Sequence, residues 1–422
     1  MPEEPMVVGI DIGTYLTKVV VAKKIREDLP PSVVTWGTSL TEGMRKGAVI
    51  DEDDVAQSVN QALKEVKDVF DEEIEEVYVS IGGSHLGSIV RKEKIAVSRA
   101  DTEVSPDDVE RLKDHVSRHT SSRNRELLKV VERSYFLDDT AGIHDPVGMH
   151  GIRLELEGVL IEGNESAIRS HDNVFEKTQL QVLDRQIGIL MAGEAVLSKK
   201  QKELGVVVVD IGAATTSIVV YEERTIIHLA VISIGAAHIT NDLAIGLKTS
   251  IDIAEHVKIK YGYASPEYIP DNRTNRVQLS EFSSEETASF PIEFVSEVIE
   301  ARMQEIFQFV NQELANVERE GLLPPGAVLT SGGANTRGIT ALAKDELDIP
   351  AKVGEPGGIE GDASEVKNPA FATTIGLILY GMSHEDMPQK RRSFGQHRPK
   401  LPQFLGKMTS GIKEWFQKLF PE

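Results

Sequence analysis

An apolar run that ends in Asp-x-Gly and restarts a few residues later occurs twice in this chain, about two hundred residues apart. The first copy is Val7-Val8-Gly9-Ile10-Asp11-Ile12-Gly13-Thr14, resuming at Thr17-Lys18-Val19-Val20-Val21. The second is Gly205-Val206-Val207-Val208-Val209-Asp210-Ile211-Gly212-Ala213-Ala214-Thr215-Thr216, followed by Ser217-Ile218-Val219-Val220-Tyr221. Short β-branched runs bounded by turn residues read as strands, and Asp-x-Gly marks a tight turn. Each copy is therefore a strand–turn–strand hairpin, and the chain is duplicated at the level of its hairpins.

Between the copies, apolar residues at 55, 59, 62, 63, 66, 69 and 70 form a helical stripe, and Val77 to Gly83 reads as a strand. From Ser84 to about Glu165 the pattern mixes short strands with a helix opening at Ser105-Pro106-Asp107, where Ser105 suits the N-cap and Pro106 the first turn. This segment reads as a small inserted subdomain. Ser250–Tyr261 and Ile292–Arg319 are helical by spacing, with a polar, loop-like stretch between them. Ala327 to Ala334 is a strand running into Ser331-Gly332-Gly333.

A strand–Asp-x-Gly-Thr–strand hairpin makes chemical sense as a phosphate clamp. Glycine lets backbone N–H groups approach, the hydroxyl donates, and the aspartate can hold Mg²⁺ through water. One such turn is also an ordinary β-turn, but two at matching places in two half-domains would grip one triphosphate from both sides of a cleft. Ser331-Gly332-Gly333 is a third point of close backbone approach.

Composition narrows the function classes. The 422 residues include 40% hydrophobic and 27% charged, as in folded globular chains, and no cysteine, which excludes disulfides, thiolate metal sites and cysteine nucleophiles. The net charge of −21 opposes nonspecific nucleic-acid binding. The acidic start, Met-Pro-Glu-Glu-Pro, lacks the form of a secretory signal, and no run of about 18 apolar residues is present, so no membrane span is expected. The histidines form no metal-ligand spacing, leaving nucleotide-bound Mg²⁺ as the expected metal.

The charge reverses near the end: Met387–Glu422 carries +6 and the rest −27. Residues 384–403 have the composition of a flexible basic linker. Beyond it Leu405, Met408, Ile412, Trp415, Phe416, Leu419 and Phe420 recur at helical spacing, with Lys407, Lys413 and Lys418 largely on the other side. A short helix of this kind over 404–422 suits the plane of an anionic bilayer interface, where each basic residue adds about 1 kcal/mol. The alternative is a terminal helix docked on its own domain.

These residues resemble the actin-like ATPase superfamily, through the two phosphate hairpins, the Gly-Gly turn and a helix bearing Glu255 and Lys258. Within it, Gly43-Met-Arg-Lys-Gly47, Asp145-Pro-Val-Gly-Met-His-Gly151-Ile-Arg-Leu, His238-Ile-Thr-Asn-Asp-Leu-Ala-Ile-Gly-Leu247 and Val298-Ile-Glu-Ala-Arg302 are similar to the bacterial cell-division family FtsA, over residues 6–382. The resemblance implies an α/β, actin-like duplicated fold of two half-domains around a nucleotide cleft, with an inserted small α+β subdomain, 1C. It divides the chain into 1A (1–83, 166–204 and 366–383), 1C (84–165), 2A (205–247 and 325–365) and 2B (248–324). It implies ATP with Mg²⁺ in the cleft. Gly13, Thr14 and Lys18 would meet the phosphates from one half, and Asp210, Gly212, Ala213, Ala214, Thr215, Thr216 and Gly235 from the other. Glu255 and Lys258 would lie beside ribose and adenine, Gly332 and Gly333 under the adenosine, and Asp11 and Asp210 would hold Mg²⁺ through water and serve catalysis. It also implies head-to-tail filaments, tethering of the C-terminal tail of the tubulin-like protein FtsZ to anionic lipid on the inner face of the cell membrane at the division site, and further division partners through 1C.

Departures from the family pattern bear on chemistry. Ala213, Ala214, Ala236 and Ala237 stand where glycines are usual, and a Cβ costs about 1 kcal/mol where positive φ is needed, so slow hydrolysis is expected. Glu194 falls in the stretch where relatives of this fold carry an acid or amide near the attacking water; it reads equally as a helix-start carboxylate. Glu300, Arg302 and Glu305 match the FtsZ-tail region, with Arg302 as a carboxylate anchor, or else form a solvated helix face. The runner-up reading is a pilus-assembly type of actin-like scaffold, and a weaker one a small-molecule kinase of the same fold.

Overall fold

Valine-rich runs supply the strands of two large sheets, and helical stripes cover them. The computed structural model describes residues 5–384, apart from 27–28, 99–100, 119–121, 272–275 and 362–363. The expected linker beyond His384 and the terminal helix with Leu405, Met408, Ile412, Trp415, Phe416, Leu419 and Phe420 lie outside the described residues.

In chain order the first half has β1 (Met6–Ile12), β2 (Leu16–Lys23), β3 (Ser32–Leu40), the small pair β4 (Met44–Arg45) and β5 (Ala48–Val49), α1 (Glu52–Lys67) and β6 (Glu76–Ile81). The insert follows with β7 (Gly87–Ala96), α2 (Pro106–Ser117), β8 (Arg125–Leu137), β9 (Thr140–Ile143) and β10 (Arg153–Asn164). The chain returns through α3 (Glu165–Thr178), β11 (Gln181–Ile187), α4 (Gly188–Val196) and α5 (Lys199–Leu204). The second half contains β12 (Val206–Ile211), β13 (Thr216–Glu222), β14 (Thr225–Ile232), α6 (Ala236–Leu247), α7 (Ile251–Tyr261), the short strands β15 (Arg276–Gln278) and β16 (Ser289–Pro291), α8 (Ile292–Asn316), β17 (Ala327–Thr330), α9 (Ile339–Leu347) and β18 (Ala351–Val353). Helix α10 (Ala372–His384) goes back to pack on β1, β2 and β6.

The duplication seen in the hairpins extends to whole sheets. The first runs β3-β2-β1-β6-β11 and the second β14-β13-β12-β17-β18, each with two antiparallel pairings followed by two parallel ones. β1 and β12 are central and buried on both faces, which is why their sequences are almost continuously apolar.

The insert is a four-stranded sheet, β7-β10-β8-β9, with α2 on one face. The Ser105 cap is present with a reciprocal bond from Asp108. Short strands were expected there, yet β7, β8 and β10 have 10, 13 and 12 residues. Charged residues interrupt their apolar alternation because charges in this sheet are paired across strands, as Arg133 with Glu157 at 2.8 Å and Arg125 with Glu162 at 2.7 Å. The loop expected before α8 holds the β15–β16 pair. Among the described residues no helix is long and apolar enough to cross a membrane.

Candidate functional site

The two hairpins close with the same bond. Gly13 N–H donates to the Leu16 carbonyl at 3.1 Å, and Gly212 N–H to the Thr215 carbonyl at 2.9 Å. A Cβ on Gly13 would stand 2.8 Å from Leu16 O, and one on Gly212 3.1 Å from Thr215 O, so these tight turns need or favour glycine.

One rung before each turn is an acid. Asp11 pairs across the ladder with Lys18, and its carboxylate lies 2.8 Å from the Lys18 ammonium. Ser80 donates to the same carboxylate at 2.5 Å, and Lys18 donates to the Ala370 carbonyl at 2.9 Å. In the second half, Thr330 donates to Asp210 at 3.1 Å. Burial pushes the Asp210 carboxyl up to about 6; the Lys18 charge draws it down and the Asp11 charge pushes it up. The Pro369 and Ala370 carbonyls accept from Ser331 and Lys18 respectively, so one short segment ties the ends of the two halves together, and the Lys18 and Asp11 charges reach Asp210.

The floor of the cleft is strained where β17 ends. Ser331 has φ 68°, a left-handed conformation that costs a non-glycine residue free energy, and its N–H is held by the Pro369 carbonyl at 3.0 Å. The following glycines differ in kind. A Cβ on Gly333 would come within 2.4 Å of the Ile211 side chain, so packing demands glycine; a Cβ on Gly332 would meet nothing within 4 Å. Gly332 leaves its room on the open side.

The alanines are accommodated without strain. None of Ala213, Ala214, Ala236 and Ala237 has positive φ, so the penalty expected for them does not arise. Ala236 and Ala237 instead open α6, and their N–H groups donate to the Gly212 and Ala213 carbonyls at 2.9 and 2.8 Å. This pins the helix start to the second turn, and a Cβ on Gly235 would fall 2.4 Å from Gly212 O.

Other expected contacts are already engaged within the protein. The Thr14 hydroxyl oxygen accepts from Gly47 N–H at 3.0 Å, leaving its proton free to donate, whereas Thr216 is fully buried and donates to the Ile234 carbonyl at 2.8 Å. Thr216 therefore does not face the cleft. Glu255 and Lys258 pair at 2.6 Å, and both bond Thr240 on α6. Tyr15, half-exposed in the first turn, has its hydroxyl proton held more tightly by burial and by the charges of Glu255 and Asp252 on α7.

Glu194 is not brought to the acids. It lies near the end of α4, not at its start, and pairs with Lys202 at 2.7 Å. Lys202 in turn sits 5.1 Å from the ring of Tyr221, the residue paired with Val206 at the end of the second hairpin remote from the turn. Four residues of strand, about 13 Å, separate that rung from Asp210. Arg302 is committed too: it makes a two-pronged bond to Asp242 of α6 at 2.8 and 3.1 Å and pairs with Glu305. It joins α8 to α6 rather than offering a free cation; burial raises the Tyr268 hydroxyl, with the charges of Asp345, Glu267 and then Glu300 adding to it.

Ser80, Tyr15, Thr330 and Pro369–Ala370 were not singled out by sequence. Ser80 follows from the parallel register of β1 on β6, Ile10 beside Val79, which one sequence does not reveal. Thr330 was visible as the residue before Ser331.

The similarities to known proteins follow this geometry. Residues 207–376 match the family model for cell division protein FtsA, and 83–162 match the SHS2 domain inserted in it. The chain is 31% identical to cell division protein FtsA of Pseudomonas aeruginosa over 98% of both chains, and 29% identical to that of Bacillus subtilis over 93% of this chain and 87% of the other. Among solved structures it resembles a chain of the PilM–PilN type IV pilus biogenesis complex (TM-score 0.64, 16% identity, 90% of this chain and 99% of that one). It also resembles MreB5 of Spiroplasma citri bound to ADP (TM-score 0.54, 13% identity, 92% and 100%). The fold is the duplicated actin-like one with an inserted SHS2 subdomain. With a relative this similar along nearly its whole length, the chain belongs to the FtsA family of cell-division proteins.

Proposed function

We propose that the protein is an ATP-binding, filament-forming adaptor that tethers the tail of FtsZ to the inner face of the cell membrane at the division site. The observation that supports it most is the pair of identically closed hairpin turns, with an acid beside each and the charges of Asp11 and Lys18 reaching Asp210. The donor set fits a Mg-nucleotide: two carboxylates for a hydrated cation, an ammonium and a free hydroxyl proton for phosphate oxygens, and open backbone at Gly332.

Bound Mg²⁺ would neutralise phosphate charge. Asp11 and Asp210 would hold it through water, with Ser80 and Thr330 fixing their orientation. Lys18 and Thr14 would bind phosphate oxygens from the first turn, and Gly212 to Thr215 would approach from the second. The Glu255–Lys258–Thr240 network and Tyr15 would border the ribose and base. Thr216 supports the second turn from beneath, and Gly235 lets α6 approach it. Nothing in the placement of Glu194 equips it to activate water, so the site is proposed as a binding site whose ligand bridges the two halves.

In this reading filaments array many terminal helices on one bilayer, which raises avidity without new contacts. The FtsZ tail would dock on the region of α8, with the Arg302–Asp242 pair as part of its rigid frame, and other division partners would meet the insert. Flotation with anionic vesicles tests the adaptor, using the full chain and a version ending at Asp386, each with and without Mg-ATP. The full chain alone should float, and more with nucleotide. If both stay in solution, the membrane role fails; ATP titration by calorimetry tests the cleft separately.

A further inference from the structure

The chain crosses between the halves twice, between α4 and β12 and between β18 and α10. Two crossings allow the sheets to rotate about a hinge. Non-covalent ties join the halves as well: α4 packs on β12 and β13, and a second such tie runs through the insert. Strand β14 is the edge of the second sheet, and the insert's strands β7, β8 and β10 lie against it. At its centre the Ser88 hydroxyl of β7 donates to the Leu229 carbonyl at 2.8 Å and receives the Leu229 N–H at 3.0 Å. One hydroxyl thus satisfies both main-chain groups of an edge residue, which would otherwise be open to water or another strand. Apolar packing reinforces it: Leu86 and Ile161, with Leu128 and Val131, share one buried cluster with Leu229, Ile226 and Val219.

The root of the insert is equally tied to the first half. Gly47 and Gly83 touch backbone to backbone, a Cβ on either falling within 2.4 Å of the other, and Ser84 N–H donates to the Lys46 carbonyl at 3.1 Å. Gly47 N–H in turn bonds Thr14 in the first turn. Both fastenings lie at the root of the insert, four residues apart along the chain: Ser84 is held beside the first turn and Ser88 on the opposite half.

We infer that the inserted sheet is a strap across the two halves, so that rotation opening the cleft and release of the β14 edge from Ser88 are one event. By linkage, a partner that prefers the undocked insert loosens the grip of the cleft on its ligand, and the cleft ligand weakens that partner by the same factor. The strap itself does not depend on which ligand the cleft takes.

The absence of native cysteine makes the test clean. Cysteines replacing the exposed Leu40 and Ile259, one on each half, carry spin labels, and pulsed electron resonance reads the distance between them. The Ser88→Ala change should broaden that distance towards longer values, and Ser88→Thr, which keeps the hydroxyl, should restore it. Hydrogen exchange at the Leu229 amide should be slow in the unsubstituted protein and faster by about tenfold in Ser88→Ala. A Ser88→Ala distribution that overlays the parent overturns the strap. So does a Leu229 amide that exchanges in the unsubstituted protein as fast as exposed turn amides, a reading that needs no variant to fold.

Discussion

Asp210 holds its proton to about pH 6 because its deep site in the cleft penalises the charge, with Asp11 opposing it further. A carboxyl whose folded pKa is raised favours the folded state at low pH and loses that contribution as pH rises from about 4 through 6. Asp210→Asn removes the charge and is expected to raise the melting temperature at pH 7.5 but not at pH 4, while abolishing Mg-dependent nucleotide binding. Equal shifts at both pH values would refute the linkage. The neighbouring glycines give a second expectation. Gly333→Ala drives a methyl into Ile211 and should cost about 1–3 kcal/mol in urea unfolding, whereas Gly332→Ala should leave stability unchanged and weaken nucleotide affinity. At this scale the acids, glycines and Lys18 were legible because Asp-x-Gly announces a turn. Ser80, Tyr15 and the Pro369–Ala370 carbonyls were not, because they enter through strand register and through chain far away in sequence.

Among the elements, the root of the insert holds an unusual polar pair. The ring nitrogens of His85 and His171 are buried without hydrogen-bond partners among the described residues. Arg125 of β8, ion-paired with Glu162 of β10, and Asp172 and Arg185 surround them from α3 and β11. Burial, then the His171 and Arg125 charges, lowers His85 to about 4. A histidine lowered in the fold contributes stability above its unfolded value that is lost as pH falls from about 6.5 towards 4, by up to about 3 kcal/mol. His85→Leu should flatten that acid limb in unfolding titrations, and an unchanged slope would count against the assignment. The hairpins, α1, α7 and α8 were readable from spacing, and α2 from its Ser105 cap. The long strands of the insert were hidden by paired charges, and the placing of Glu194 by helix phase, since a motif gives neighbours in sequence but not which turn of α4 meets the cleft. Arg302 was visible as a cation; its partner Asp242, 60 residues away, was not.

Over the whole molecule, charge separates into a body of −27 and an end of +6 from Met387 onward. Attachment to anionic vesicles should therefore fall as salt shortens the Debye length to a few ångströms near 1 M, while nucleotide binding in the enclosed cleft changes less. Flotation that is insensitive to salt would assign attachment to apolar burial alone. The duplicated architecture was announced by the repeated hairpin, but its depth, five strands matched in order on each side, was apparent only in the fold. That match has a further consequence. A pocket made of two like halves cannot distinguish one end of a guest from the other except where the copies differ. On the rung beside Asp11 stands Lys18, and on the equivalent rung beside Asp210 stands Ser217. The two hairpins thus differ at their acid rungs, with an ammonium on one and a hydroxyl on the other, and an asymmetric guest is oriented by that difference.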